Sequence, residues 1–180
     1  MDWRIRQAGT ADLDGILEIE NACFSPGIRE DRTVFLDRMR SFPDGFLLLV
    51  PADPVSPGQP AAAGYLSSEI WDSVPPASTD SYRLGHAASE RHSPSGPVLY
   101  ISSFAVHPSA RGGTGRFLLE GSVRRIHTCR PGLTRIVFIV NETWAAARHI
   151  YETGGFRYTG RLENFFSPEA SAALVMEREL

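Results

Sequence analysis

The stretch LYISSFAVHPSARGGTGRFLLE, residues 99–120, carries the clearest pattern in this chain. Residues 99–106 are mostly apolar and predict a buried strand, and the apolar spacing after Thr114 predicts a helix. A glycine-rich loop that contains Arg111 and Arg116 joins the two elements. Glycines let a ligand approach the backbone closely, while the unpaired N–H groups and the dipole of a helix N-terminus attract anions. The stretch therefore predicts a phosphate-binding loop, with a loop that only reverses the chain as the alternative.

The spacing excludes two common nucleotide-binding loops, because the segment fits neither GxGxxG nor GxxxxGK[ST]. It instead resembles the acetyl-CoA loop of the GCN5-related N-acetyltransferases, in which Val-x-Pro/His precedes Arg/Gln-x-x-Gly-x-Gly/Ala and a helix. A tyrosine and a Gly-Phe pair follow downstream where that family has them, and the resemblance spans nearly the whole chain. It implies an N-acetyltransferase that uses acetyl-CoA.

The loop departs from the family pattern in its length. Gly113 and Gly115 stand two and four residues after Arg111, whereas the family's glycines follow the arginine by three and five. A shorter loop loses a backbone N–H aimed at the pyrophosphate, so we expect weaker cofactor binding than is typical of the family. The resemblance places the pyrophosphate on the loop residues Arg111, Gly112, Gly113, Thr114, Gly115 and Arg116.

Length and composition are typical of one globular domain. The chain has 180 residues, of which 42% are hydrophobic and 22% charged, and its net charge is −3. That charge gives no field for nucleic acid, and no apolar run approaches the roughly 20 residues of a membrane span. We expect a cytoplasmic protein without a nucleic-acid or membrane partner, present as a monomer or homodimer.

The order of patterns along the chain predicts an α/β fold. It reads β-α-α-β-β-β-α-β-α-β-β over residues 1–180, which predicts a single domain with a mixed central sheet of about seven strands and helices on both faces. This is also the fold that the resemblance implies. Residues 51–60 form a proline-rich surface loop in this interpretation. Residues 72–97 are rich in proline and serine without an apolar period, so we expect a mobile insertion there.

The sequence HIYETGGF contains the candidate general acid. It matches the family's tyrosine followed by Gly-Phe, which implies that Tyr151 contacts the cofactor and protonates its departing thiolate. A phenol with a pKa of about 10 keeps its proton at neutral pH. The alternative is a ring that only packs on the sheet.

The resemblance also implies how the pantetheine arm of acetyl-CoA is held. In the family it pairs with the strand before the loop, which here corresponds to Phe104, Ala105 and Val106. The family's asparagine before the tyrosine is replaced by Trp144, and Asn141 lies three residues earlier. We therefore take Asn141 as the candidate for that contact.

Several short motifs on the acceptor side resemble the arylalkylamine (serotonin) N-acetyltransferase branch. They are the FSP turn after the first helix, the EIWD end of the third strand and the FAVHP end of the fourth. The resemblance implies a small primary amine of arylalkylamine or polyamine type as substrate. Its binding residues would be Phe24, Ser25, Pro26, Trp71 and Tyr100.

The residues that would remove the substrate's proton differ from those of that branch. Its two histidines are replaced here by Tyr100 and Ser102. We hypothesise that Ser102 is catalytic through a water chain that passes Tyr100 and ends on Glu20, since a carboxylate in an apolar pocket has a raised pKa and can accept the proton. The alternative is that Glu20 is a solvated helix residue.

Other functions stay open at this stage. The five histidines lack the spacing of metal ligands, so no metal is predicted. A protein N-terminal or ribosomal-protein acetyltransferase is the alternative enzyme. A catalytically weak acyl-CoA-binding module is the alternative of a different class.

Overall fold

The computed structural model describes residues 2–53, 61–110, 112–166 and 170–180. It confirms an α/β fold with a seven-stranded mixed sheet. The strands are β1 (Trp3–Gln7), β2 (Phe46–Pro51), β3 (Gly64–Trp71), β4 (Val98–Val106), β5 (Arg135–Asn141), β6 (Arg157–Phe166) and β7 (Ser171–Glu179). The helices are α1 (Leu13–Cys23), α2 (Arg32–Ser41), α3 (Ala88–Arg91), α4 (Thr114–Cys129) and α5 (Ala145–Thr153).

Side chains alternate across the sheet and bury both faces under helices. In β2, Leu47 belongs to the core beneath α4, together with Leu119. Its neighbours Phe46 and Leu48 belong to the core beneath α1 and α2, together with Ile16. Successive residues of a strand point to opposite faces, so this all-apolar strand is what a sheet covered on both sides requires. The predicted helices on both faces are confirmed.

The sheet opens at its centre, between β4 and β5. Its order is β1-β2-β3-β4-β5-β7-β6, and β4 with β5 is a parallel pair. The two strands pair only where residues 98–100 face residues 135–137, and they then separate. On its other side β4 pairs with β3 through an irregularity that leaves Ser102 between the partners Ile101 and Ser103. Such a bulge bends a strand and redirects its side chains.

The connection between β3 and β4 contains core residues that its composition did not indicate. Tyr82 and Ala88 are fully buried, and the ring of His86 is 2.9 Å from the Glu69 carboxylate. Residues 72–97 therefore do contribute buried side chains, since Tyr82 packs on Trp71 of the sheet. The mobility of this segment stays a prediction.

Side-chain hydrogen bonds fix the start of α5 at Ala145. The Asn141 side chain accepts hydrogen bonds from the N–H and hydroxyl of Thr143 and holds a turn before the helix. The third strand begins at Gly64. Residues 54–60, which make up most of the predicted proline-rich loop, lie outside the described residues. No helix in the described part of the chain is long and apolar enough to cross a membrane.

Candidate active site

Two adjoining cavities occupy the opening between β4 and β5. The first is a groove of about 490 Å³ that extends from β4 to the N-terminus of α4 and along α5. The second, of about 70 Å³, lies between residues 101–104 of β4 and residues 138–140 of β5. We call the first the groove and the second the inner cavity. Four side chains line both: Phe24, Phe104, Trp144 and Tyr151.

The glycine-rich loop forms one end of the groove. Gly112, Gly113, Thr114 and Gly115 all line it. Gly113 is the N-cap of α4 with φ of +92°, a left-handed conformation that favours glycine. The first N–H groups of a 16-residue helix therefore lie at a concave, accessible surface, which suits a phosphate.

Of the two arginines of the predicted loop, the structure describes only Arg116. Arg116 is exposed on the first turn of α4 and does not line the groove. Arg111 lies outside the described residues. Their contacts with phosphate stay predictions.

The long wall of the groove is apolar and carries main-chain groups. Phe104, Ala105 and Val106 line it from β4, on the edge that β5 no longer covers. Opposite them stand Ala145, Ala146 and Ala147 at the start of α5. An extended, partly polar chain fits between an open strand edge and a face of small side chains. Sequence reasoning missed the three alanines, although a run of alanine at a helix start is a signal of close approach.

Asn141 is not brought to either cavity. Its side-chain amide donates to the Ser171 hydroxyl at 2.8 Å, and its side-chain oxygen accepts from Thr143. The residue is buried and its hydrogen bonds hold the β5–α5 turn. Trp144, which occupies the family's asparagine position, lines both cavities instead.

Tyr151 stands at the junction of the two cavities. Its ring packs on Phe138, with ring centres 4.4 Å apart, and on Phe104. Burial raises the pKa of its hydroxyl above the ordinary value of 10.0. No hydrogen bond from a described residue reaches that hydroxyl. A protonated phenol with no partner among the described residues can donate to a ligand.

Glu20 is a buried carboxylate of the inner cavity, not a solvated helix residue. It is only 1% exposed and lines the cavity from α1. One carboxylate oxygen accepts the Glu30 backbone N–H at 2.8 Å, and the other accepts the Tyr65 hydroxyl. Burial raises the pKa of Glu20 despite these hydrogen bonds. The alternative considered from the sequence is therefore wrong, and the group is suited to accept a proton.

A chain of hydroxyl groups connects Glu20 to the cavity. The Ser103 hydroxyl, which lines the inner cavity, is 2.8 Å from the Tyr65 hydroxyl, and Tyr65 donates to Glu20. Burial, together with the Glu20 carboxylate, holds the pKa of Tyr65 well above its ordinary value. Tyr65 thus stays protonated, and its hydroxyl connects the hydroxyl of Ser103 to the carboxylate of Glu20. Ser103 and Tyr65 were missed because no local pattern marks residues that meet only across the sheet.

The residues predicted for the water chain are placed differently. Ser102 does line the inner cavity, but its hydroxyl pairs with that of Ser67 at 2.9 Å and not with the chain to Glu20. Tyr100 is fully buried and stacks on Trp71, with ring centres 3.8 Å apart. Neither Tyr100 nor Trp71 lines the groove or the inner cavity, and Tyr82 packs on both rings.

Only the first residue of the predicted FSP turn reaches the site. Phe24 lines both cavities, whereas Ser25 and Pro26 line neither. Ser25 instead closes a turn, since its carbonyl accepts the Ile28 N–H at 3.1 Å. Within residues 2–53, 61–110, 112–166 and 170–180, no three His, Cys, Asp or Glu side chains come together as a group that could hold a metal ion.

A substitution in the groove tests whether the glycine loop binds acetyl-CoA. A Cβ at Gly115 would lie 3.2 Å from the Ile150 side chain, so we expect Gly115→Val to fill the groove and remove most of the thermal stabilisation by acetyl-CoA. At about one hundred times Kd that stabilisation is about 2.7 kcal/mol in the unmodified protein. Gly132→Val, in a turn with open space, is the matched control. A folded Gly115→Val protein with the full thermal shift would place the cofactor elsewhere.

Comparisons with known proteins identify the fold. A scan against protein-family models finds no match, and a search of curated protein sequences finds none either. Among solved structures, 98% of the chain aligns with 98% of the GphF GNAT-like decarboxylase in complex with isobutyryl-CoA, at 19% identity and a TM-score of 0.76.

Two further solved structures are similar. The putative acetyltransferase yncA from Salmonella typhimurium, with its cofactor acetyl-CoA, aligns over 100% of this chain and 95% of its own, at 21% identity and a TM-score of 0.69. The ribosomal-protein-S18-alanine N-acetyltransferase from Escherichia coli aligns over 99% and 94%, at 17% identity and a TM-score of 0.68. These likenesses show that the chain has the fold of the GCN5-related N-acetyltransferases.

Proposed function

We propose that this protein is an acetyl-CoA-dependent N-acetyltransferase that acts on a small primary amine by direct attack in a ternary complex. The observation that carries the proposal is the pair of cavities with shared walls. The groove offers a phosphate-type helix N-terminus and an open strand edge, and the inner cavity offers a buried carboxylate. Two substrates bound in these cavities would meet beside Tyr151.

The residues present fit acetyl-CoA. The left-handed Gly112 and Gly113 carry no side chains that would occupy the space before α4, and the Gly115 position has no room for one without pressing on Ile150. When bound, acetyl-CoA supplies the activated acetyl group and a thiolate leaving group. The first turn of α4 would hold its pyrophosphate, and residues 104–106 would hold its pantetheine arm.

The proton of the amine has a direct route out of the inner cavity. Ser103 accepts it and passes its own proton to Tyr65, which passes one to the Glu20 carboxylate. The neutral amine nitrogen is then able to form the new bond to the acetyl carbon. Tyr151 holds the proton that the departing sulfur needs, at the place where the two cavities meet.

Aromatic contacts favour a small acceptor over a protein N-terminus. The Phe24 ring lies 5.5 Å from that of Trp144, which in turn lies 5.6 Å from that of Phe166. These contacts join the end of α1 to the end of β6 and line the inner cavity with aromatic rings. The cavity of about 70 Å³ suits an ammonium group with a compact body.

Initial-rate kinetics test the proposal. We expect thiol release from acetyl-CoA with a panel of small primary amines, and intersecting lines when both substrates are varied, because both must be bound before the bond forms. A peptide that begins with alanine is the comparison substrate. Turnover with the peptide alone would favour the protein acetyltransferase, and acetyl-CoA binding without turnover on any acceptor would favour a binding module. Parallel lines with an acetyl group on Cys23, which also lines the groove, would contradict direct attack.

A further inference from the structure

The connection between β3 and β4 supplies part of the inner cavity's wall. Leu84 lines the cavity and packs against the buried cluster that includes Trp71 and Tyr100. Facing the cavity from other elements are Ile28, between α1 and α2, and Phe166, at the end of β6. We infer that this wall makes the inner cavity selective for short, apolar monoamines, with Leu84 as the residue that sets the length limit. The inference rests on the proposed N-acetyltransferase function and narrows its substrate class.

The backbone on both sides of Leu84 is held in place. The Arg83 carbonyl accepts from His86 Nδ1 at 2.8 Å, while His86 Nε2 lies 2.9 and 3.0 Å from the two oxygens of Glu69. His86 is 7% exposed and Glu69 is fully buried, so this pair is shielded from water. Buried, charge-assisted hydrogen bonds fix geometry more firmly than exposed ones.

A second anchor follows Leu84 directly. The Gly85 N–H donates to Glu30 Oε1 at 3.3 Å, and the φ of Gly85 is +66°, which favours glycine. Glu30 is itself paired with the buried Arg38 at 2.7 Å. Leu84 is thus placed between two anchored residues, and we expect it to act as a rigid wall and not as a side chain that moves aside.

The charges around the cavity favour one ammonium group and not two. Two carboxylates line it, Glu20 and Glu30. Glu30 is neutralised by Arg38 and also accepts from Gly85. Glu20 alone has no basic side chain bonded to it. A second ammonium, as in a diamine, would face Leu84, Ile28 and Phe166, and an unpaired charge against apolar side chains is costly.

The relative size of the two cavities favours a compact amine body. The inner cavity of about 70 Å³ is much smaller than the groove of about 490 Å³ that adjoins it. In this inference Leu84, which lines the cavity, limits how far the amine extends. Replacement by alanine would lengthen the cavity in this direction, and replacement by phenylalanine would shorten it.

A length series of substrates tests this inference. We would measure kcat and KM for straight-chain monoamines of increasing length and for the matching terminal diamines, with Leu84→Ala, Leu84→Phe and the unmodified protein. We expect Leu84→Ala to raise kcat/KM for the first rejected monoamine by roughly tenfold, mainly through KM, and Leu84→Phe to lower the limit. We expect each diamine to be acetylated roughly tenfold less efficiently than the monoamine of equal length.

Controls distinguish failure of this inference from failure of the proposed N-acetyltransferase function. Leu36→Ala, a partly buried leucine of α2 away from both cavities, should keep the length profile of the unmodified protein. The same profile in all Leu84 variants, or a preference for diamines, would overturn the inference while the N-acetyltransferase function stands. An unmodified protein that binds acetyl-CoA and acetylates no primary amine would overturn both.

Discussion

Tyr151→Phe should lower kcat by about 100-fold or more while acetyl-CoA binding stays unchanged. The variant keeps the ring that packs on Phe138 and Phe104 and deletes only the hydroxyl at the junction of the cavities. That hydroxyl has no hydrogen bond from a described residue, so its removal leaves no protein partner unpaired. We expect the melting temperature to be kept and the loss to be confined to the chemical step.

The pH dependence of the unmodified protein also tests Tyr151 as the general acid. Because burial raises the pKa of Tyr151 above 10.0, the phenol stays protonated through the neutral range, and any alkaline decline that it causes begins only beyond about pH 10. Tyr158→Phe is the control, since Tyr158 is 56% exposed on β6 and lines neither cavity. Near-full turnover in Tyr151→Phe would mean that Tyr151 is a packing residue and that solvent protonates the thiolate.

Glu20→Gln should lower kcat/KM for the amine by about 100-fold or more at neutral pH, since glutamine accepts hydrogen bonds but no proton. A base must be ionised to work, so activity falls as the pH drops through the pKa of Glu20. Burial raises that pKa, which moves the acid limb above the ordinary glutamate range. We expect this limb in the unmodified protein and its absence in the variant.

The loss in Glu20→Gln should shrink as the pH approaches the pKa of the substrate's ammonium, about 10, because an amine that is already neutral needs no base. This recovery separates a base from a residue that only supports the fold. Glu18→Gln, on the exposed side of the same helix, is the matched control. Full turnover of Glu20→Gln at neutral pH would place the base elsewhere.

Local patterns were enough to predict most of the fold. Patterns within short windows predict the start of α4 at Thr114, the apolar strand β5 and the order of the seven strands. The spacing of apolar residues and the position of glycines determine the local backbone conformation directly. The position of the candidate phosphate loop followed for the same reason, because strand, glycines and helix are contiguous in the chain. The role of Tyr151 was implied by the resemblance and stays a prediction; the structure shows that its side chain lines both cavities.

The acceptor side was less predictable because its contacts are long-range. The hypothesis based on the resemblance put Tyr100 and Ser102, at the positions of the related branch's two histidines, in one proton path, but a bulge at Ser102 redirects the side chains of β4. Ser103 therefore meets Tyr65, which is 38 residues away in the chain. No periodicity within either strand encodes that pairing.

The sequence by itself determined the elements, their order and the glycine loop, because these depend on neighbours along the chain. Only the tertiary structure decided that Glu20 is buried beside Tyr65, and that Leu84 lines the inner cavity. A carboxylate's pKa depends on the water and charges around it, and a cavity's size depends on elements far apart in sequence. Residues 72–97 are polar in composition, yet Gly85 and His86 of this segment form hydrogen bonds with the buried Glu30 and Glu69.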